Sequence, residues 1–400
     1  MRNRLVVSAL VVALATVSSA LGVASLPNAG ASPTPIKVGM IVEKTGLLSS
    51  YLAEYDQGFN IGLQFATKGT DKVNGRPIHV TFDDDAFNPT TAVTDFKSFV
   101  GAGYKIIGGT GDSGIADELY PLAAQNKVLY IAGAAADDHV TGANEYTFRS
   151  GRQTYQDVQA AKSYIAALGT KKKVVVLAQA YSFGQSYVSD TATAFKKLND
   201  HVTDILVPLS TTDFTGTASK VEALHPNIVF LAWAGATAFP LIQDLSNANV
   251  FKHGAKVITG LANIATYPYF TGYFGTNADY ISLYVSQGSK NTANKYLISH
   301  EQSEYHASAD LFSADGFVSG EMVARAAATG GATTSVPAMM KGLAGWSFLA
   351  PKGAETIRAS DHALLQPMYD VSLSSKNVVK VTKTLTDSQT APPVTAHFKN

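Results

Sequence analysis

The chain has 400 residues and balances 31 Lys plus Arg against 31 Asp plus Glu, with no basic block, which argues against a nucleic-acid partner. It contains no cysteine, so disulfides, Fe–S clusters and cysteine–zinc chemistry are excluded and stability rests on burial. A chain of this length exceeds one hydrophobic core, and two domains are expected.

Arg2 and Arg4 precede an apolar run from Leu5 onward, and Ala29-Gly30-Ala31 supplies a small-x-small cleavage pattern before Ser32. Residues 1–31 read as an export signal, with an uncleaved N-terminal anchor as the alternative. Either way the folded part lies outside the cytoplasm, periplasmic or extracellular, and no N-terminal Cys is present to carry a lipid. Next, Ile36–Val42 reads as a strand, followed by a Thr45-Gly46 turn. A stripe of Leu52, Tyr55, Phe59, Leu63 and Ala66 has helical spacing. The strand at 78–82 runs into Asp83-Asp84-Asp85, after which Asn88 caps and Pro89 opens a helix that ends near Gly101.

The stretch 105–141 is a strand, a Gly turn, a helix with Ile115, Leu119, Leu122 and Ala123 on one face, a second strand and an Ala/Gly turn. In a crossover unit both turns emerge at the same sheet edge, where α/β proteins place ligands. Further helices are expected at 158–168, 186–198, 218–224 and 241–247. Strands at 174–177, 204–207, 228–231 and 256–259 alternate with them. The alternation predicts two doubly wound α/β lobes. The remainder has a strand at 280–285, helices at 294–305 and 313–328, and a hairpin of 365–373 with 378–381. These are too few elements for a third core, so they complete the two lobes. Residues 386–400 read as a flexible tail.

Three readings compete for the turn at 109–114. Gly111-Asp112-Ser113-Gly114 matches a serine-protease nucleophile motif, but upstream there is no His beyond His79, inside an apolar strand. Gly109-x-Gly111-x-x-Gly114 matches a dinucleotide fingerprint, yet the following strand ends in Ala132-Gly133-Ala134-Ala135-Ala136, with no acid to hold a ribose, and Asp137 comes late. In the third reading Ser113 caps a helix whose free N–H groups hold an anionic or polar solute.

The order of Ile36-Lys37-Val38-Gly39, Thr45-Gly46, Phe82-Asp83-Asp84-Asp85 with Asn88-Pro89, Ile106-Ile107-Gly108, Ala132-Gly133-Ala134-Ala135, Tyr146-Thr147-Phe148-Arg149 and Tyr181-Ser182-Phe183-Gly184 resembles the type I periplasmic binding proteins. The nearest branch is the leucine/isoleucine/valine-binding group of ABC importers, and the likeness runs on to Ser360-Asp361-His362. The resemblance implies two Rossmann-like lobes with parallel sheets flanked by helices, joined by three hinge crossovers. Lobe 1 would comprise 36–148 with 287–348, and lobe 2 would comprise 149–286 with 349–385. It further implies a monomer without enzymatic activity or cofactor, which takes a small solute between its lobes and delivers it to a membrane permease. A secreted sensory receptor of the same fold and a dinucleotide-dependent oxidoreductase are the alternatives.

Carried over residue by residue, the resemblance assigns the solute's carboxylate to Ser113, with Asp112 beside it, and to the turn Ala134, Ala135 and Ala136. Tyr51, Phe183, Trp233 and Ala234 would line the rest. Where amino-acid binders place an acid for the α-ammonium, this chain has Ala262 and the uncharged Asn263. An unpaired, desolvated ammonium costs several kcal/mol. An aromatic or short aliphatic carboxylate, or an amide, is therefore a serious alternative ligand unless Asp112 substitutes. His300-x-x-x-Glu304-x-His306 has the spacing of a metal site on one helical face, without further support, and no metal is expected.

Overall fold

The computed structural model describes residues 33–198, 200–275 and 279–399; the signal segment at 1–31 lies outside them. From Thr34 onward the chain forms one compact unit. Strand β1 (Ile36–Val42) leads into helix α1 (Ser49–Thr67), whose apolar stripe buries Leu52, Tyr55, Phe59 and Leu63. A short β2 (Lys72–Val73) turns back on β3 (Arg76–Asp84). Asn88 then caps α2 (Pro89–Gly101), its side chain accepting from the Thr90 and Thr91 N–H groups. Strand β4 (Ile106–Gly109), helix α3 (Ser113–Asn126), strand β5 (Leu129–Ala132) and strand β6 (Thr147–Arg149) complete a six-stranded sheet of order β2-β3-β1-β4-β5-β6. All its pairings are parallel except that of the edge strand β2.

The second half of the alternation is α4 (Thr154–Ala167), β7 (Lys173–Gln179), α5 (Ser182–Ala194), β8 (His201–Val207), α6 (Thr215–Ala223), β9 (Ile228–Ala232), α7 (Ala238–Asn247) and β10 (Lys256–Ile258). Its strands form an all-parallel sheet of order β10-β9-β7-β8. Parallel sheets are covered on both faces, and these strands read accordingly as continuous apolar runs. Val175, Leu177, Val229 and Leu231 pack toward α6 and α7, while Val174, Val176 and Phe230 pack on the side of α4 and α5. Helix α8 (Tyr267–Phe274), which the alternation does not foretell, closes the outer side with Phe270 and Phe274.

After β11 (Asp279–Ser282) come α9 (Thr292–His300), a π turn at Glu301–Tyr305, α10 (Ser313–Gly330) and α11 (Val336–Leu343). Strands β12 (Ser347–Ala350), β13 (Gly353–Ile357) and β14 (Leu364–Leu365) form one small antiparallel sheet. β15 (Met368–Leu373) pairs with both β11 and β16 (Val379–Leu385) in another. Helix α10 returns to the first sheet and packs against α1 through glycines. A Cβ on Gly58 would stand 2.0 Å from the Ser313 carbonyl oxygen, and one on Gly62 2.1 Å from that of Phe317. Only glycine allows backbones that close.

A last turn, α12 (Asp387–Thr390), begins the segment expected as a flexible tail, and that segment is tied down. Arg358 donates to the carbonyls of Pro392 and Pro393, Thr395 N–H donates to Asp361, and Phe398 packs against the His362 ring. Arg358 and Asp361, paired at 2.7 Å, supply anchors that composition alone hides.

Candidate functional site

The parallel strands of both sheets end on a common chamber. It is a narrow cavity of about 20 Å³, lined by Leu48, Tyr51 and Leu52 of α1 and its approach, Gly111 after β4, Ala134 and Ala136 after β5, Arg152 after β6 and Phe312 before α10. From the four-stranded sheet come Tyr181 and Phe183 after β7, Ala234 after β9 and Leu261 after β10. This is the position where open α/β sheets hold ligands, outside the carboxyl ends of their strands.

The two sides touch across the chamber. Tyr51 Oη donates to the Leu261 carbonyl at 3.1 Å, Asn263 Nδ2 to Glu54 at 3.2 Å, and Ile264 N–H to Asp310 at 2.7 Å. On the other flank Ser182 donates to Asp117 at 2.5 Å and Ser186 to Asp137 at 2.7 Å. Side chains and backbone groups from both sheets therefore meet across the chamber.

Of the residues expected at the site, Tyr51, Ala134, Ala136, Phe183 and Ala234 line the chamber. Ser113 does not. Its hydroxyl is fully buried and accepts from the N–H groups of Ala136 and Asp137, both at 3.2 Å, so it fastens the turn after β5 to α3. The cap of α3 is Asp112, not Ser113, since the Asp112 carboxylate accepts from Ile115 N–H at 2.7 Å. Burial pushes this carboxyl up to about 7. Ala135 is buried behind the lining, its carbonyl accepting from Arg149. Trp233 packs edge-on against Phe214 in the core of the four-stranded sheet and donates Nε1–H to Thr237. Asn263 faces Glu54, and Ala262 is fully buried.

Two buried residues at the strand ends escaped the sequence reading. Glu43, fully buried after β1, accepts from the Thr110 hydroxyl at 2.7 Å and from the N–H groups of Gly111 and Asp112. The protein's own carboxylate thus takes the donors of the turn that leads into α3. The same carboxylate sits where a dinucleotide's pyrophosphate would have to lie, which removes the fingerprint at Gly109-x-Gly111-x-x-Gly114 as a cofactor site. The second residue is Arg152. Its Nε bonds Asp157 at 3.1 Å, its Nη1 bonds the Ala134 carbonyl at 3.0 Å, and its guanidinium lies 5.9 Å from the Phe312 ring centroid. Burial opposes the charge on Arg152, but Asp157, Tyr187 and Asp315 together outweigh that opposition and hold the arginine above its usual range. Burial likewise pushes Asp157 up, against the pull of Arg152 and of the Tyr187 hydroxyl that donates to it. The pair is almost wholly removed from water.

Elsewhere, Asp84 collects N–H groups of Lys44, Thr45 and Ala86, so the Asp83–Asp85 run closes a turn. His300 stacks on Tyr296 and Glu304 accepts from Gln64, which turns the helical His/Glu spacing to local packing.

A family profile described as periplasmic binding protein matches residues 35–377. The chain is a member of the periplasmic binding protein family. Among curated relatives, the Leu/Ile/Val-binding protein homolog 3 of Brucella melitensis is 22% identical over 334 residues, 82% of this chain and 89% of that protein. An ABC-type branched-chain amino acid transporter structure from Rhodopseudomonas palustris is 28% identical with a TM-score of 0.74, covering 91% of this chain and all of the other. A solute-binding protein of an ABC transporter from R. palustris, solved with benzoate, shares the fold at 22% identity and a TM-score of 0.78, covering 88% and 96%. The fold is thus that of the type I solute-binding proteins, parallel-sheet lobes flanked by helices, and the chain is a solute-binding protein of the ABC-transporter kind.

Proposed function

We propose that this periplasmic binding protein is the exported receptor of an ABC importer and closes around one small organic solute, an amino acid or a related carboxylate or amide. The observation that carries the reading is where the chamber lies, walled by strand ends of both sheets. The lobes would be 36–148 with 287–348 and 149–286 with 349–385, with crossovers near Arg149, near Gly288 and between Trp346 and Gln366. A solute touches both walls only when the lobes meet, so its binding favours the closed form, which the permease would then recognise. The branched-chain transporter relative and the benzoate complex bracket the solute classes to test. The signal-like residues 1–31 agree with export.

The test is a thermal-shift screen of the purified chain against amino acids, aromatic and aliphatic acids, and amides. A true solute at a hundred times its dissociation constant adds about 2.7 kcal/mol of stability. A complete panel without any shift would count against the receptor reading.

A further inference from the structure

A second cavity, of about 440 Å³, lies between the C-terminal halves of α1 and α10, the turn after β2 and Trp346. Small-molecule sites have volumes of this order. It shares no residue with the chamber. Phe312 just before α10 lines the chamber, whereas Glu321 lines the second cavity, about 14 Å further along the helix axis. Glu321 is 6% exposed, and its Oε2 is buried without a hydrogen-bond partner. Arg325, one turn on along the same face, is drawn elsewhere: its Nε donates to the Gly342 carbonyl at 3.1 Å and its guanidinium lies 5.6 Å from the Trp346 ring centroid. Asn74 Nδ2 likewise donates to the Ala328 carbonyl, at 3.1 Å. Burial pushes the Glu321 carboxyl well above the usual range, and the neighbouring Glu355, itself with a buried unpartnered oxygen, adds to the effect. A buried acid without a partner costs stability, and a cation reaching it through the cavity would offset that cost. Glu321 alone is too poor a donor set for a metal ion, which takes several ligands, and no group of three or more acids or imidazoles suited to one exists among the described residues. An ammonium needs only the one carboxylate. The rim has the opposite sign, with Lys68, Lys72 and Arg325 all exposed, so it repels a simple amine and attracts an anionic group. Val73, Ala324 and Ala328 supply apolar wall for a short hydrocarbon spacer.

We propose that this cavity is a second small-molecule site, for a short-chain zwitterion whose ammonium pairs with Glu321 and whose anionic group meets Lys68 and Lys72 at the rim. The site is separate from the chamber and does not rest on the receptor reading. Pairing also changes the proton count. An ammonium beside Glu321 favours the ionised carboxylate, so the zwitterion drives off a proton that the empty cavity retains.

The experiment reads Trp346, which lines the cavity and is one of only two tryptophans in the chain. In a Trp233→Phe background its emission is titrated with 4-aminobutanoate and 2-aminoethanesulfonate, and with butylamine, butanoate and ethanesulfonate as half-molecules. At least one zwitterion should change the emission saturably and bind about ten-fold or more tightly than its half-molecules. The two zwitterions distinguish a carboxylate from a sulfonate at the rim. Glu321→Gln, which replaces the unpartnered acid with a neutral group of the same shape, should lose about ten-fold or more in affinity, and Lys68→Ala with Lys72→Ala should lower the preference over butylamine. Calorimetry of the wild type at pH 6, in two buffers of different ionisation enthalpy, should show a proton released on binding, and this measurement decides the pairing even where a variant fails to fold. No saturable change with either zwitterion, a half-molecule that binds as tightly, binding without proton release, or full affinity in Glu321→Gln would overturn the site. A zwitterion response that survives Glu321→Gln places the molecule elsewhere, the chamber included. None of these outcomes bears on the thermal screen, by which the receptor reading stands or falls.

Discussion

Tyr51 Oη lies 3.1 Å from the carbonyl oxygen of Leu261, and this hydrogen bond joins the first helix of one sheet to the strand end of the other across the chamber. Burial pushes the phenol well above its usual range, with Glu54 adding to the effect, so the hydroxyl stays a donor at all working pH values. Tyr51→Phe removes the donor and keeps the ring against Phe312. The expected loss is about 0.5–1.5 kcal/mol of closed-state stabilisation, or roughly two- to twelve-fold in solute affinity. Calorimetry checks it, and an unchanged affinity would mean that the bond does not help closure.

Ser113→Ala is expected to act on folding as much as on binding. The Ala136 and Asp137 N–H groups both point at its hydroxyl in a buried place, and leaving them without an acceptor costs about 1–3 kcal/mol. Urea denaturation measures this. The turn it fastens carries Ala136 into the chamber wall, so solute affinity should fall in step with stability.

Trp233→Phe should leave solute affinity within about two-fold, because its indole sits against Phe214 and Thr237 rather than the chamber. The lost hydrogen bond should cost about 0.5–1.5 kcal/mol of stability. A ten-fold loss of affinity would move the indole into the solute site.

Gly62→Ala places a methyl group 2.1 Å from the Phe317 carbonyl oxygen, which α10 cannot yield without leaving α1. Overpacking of this kind costs about 1–3 kcal/mol or more. Denaturant midpoints of Gly62→Ala and of a control at Gly101, where a Cβ meets nothing, should differ by at least that margin.

Stability should fall as pH rises above the carboxylate range. The Asp190 carboxyl is pushed up to about 9, by burial first and by the neighbouring Asp138 second, from an ordinary value of 3.8. The folded chain thus retains a proton that the unfolded chain gives up, so Asp190 lowers stability progressively from pH about 4 to about 9. Asp85 and Glu355, each raised by burial to about 8, and Asp112, raised to about 7, add in the same direction. Melting temperature should be higher near pH 5.5 than near pH 8.5, and Asp190→Asn should raise the alkaline value.

The alternation of strands and helices was legible because parallel strands buried on both faces must be continuous apolar runs, and each is bounded by turn residues. Asn88-Pro89 announced a helix start by its chemistry and the structure keeps it. The antiparallel pieces at β12, β13 and β14 were not legible, since their exposed and buried positions mix and their pairing is non-local. At the site, the shared sheet edge pointed to the Ala134–Ala136 turn, and the family resemblance supplied Tyr51, Phe183 and Ala234, but spacing could not tell which side chains point inward. Ser113 and Trp233 sit at the expected places and turn their polar atoms to the protein. Arg152 went unread because Ser150-Gly151-Arg152 looks like an ordinary loop after β6. The signal available was a second arginine three residues beyond Arg149 at the end of β6, with Asp157 five residues on as its partner. Glu43 was likewise adjacent to β1 and unremarked, since nothing in its neighbours foretells three donors 67 to 69 residues away.

Small-angle X-ray scattering of the purified chain, recorded alone and with each solute that raises its melting temperature, tests the central claim most directly. The account predicts that a stabilising small carboxylate contracts the particle and leaves one closed population, matching the arrangement in which Tyr51 meets Leu261 and Ser186 meets Asp137. A solute bound at saturation without any change in the scattering profile, from a chain that is open when alone, would contradict a receptor that works by closing around its cargo.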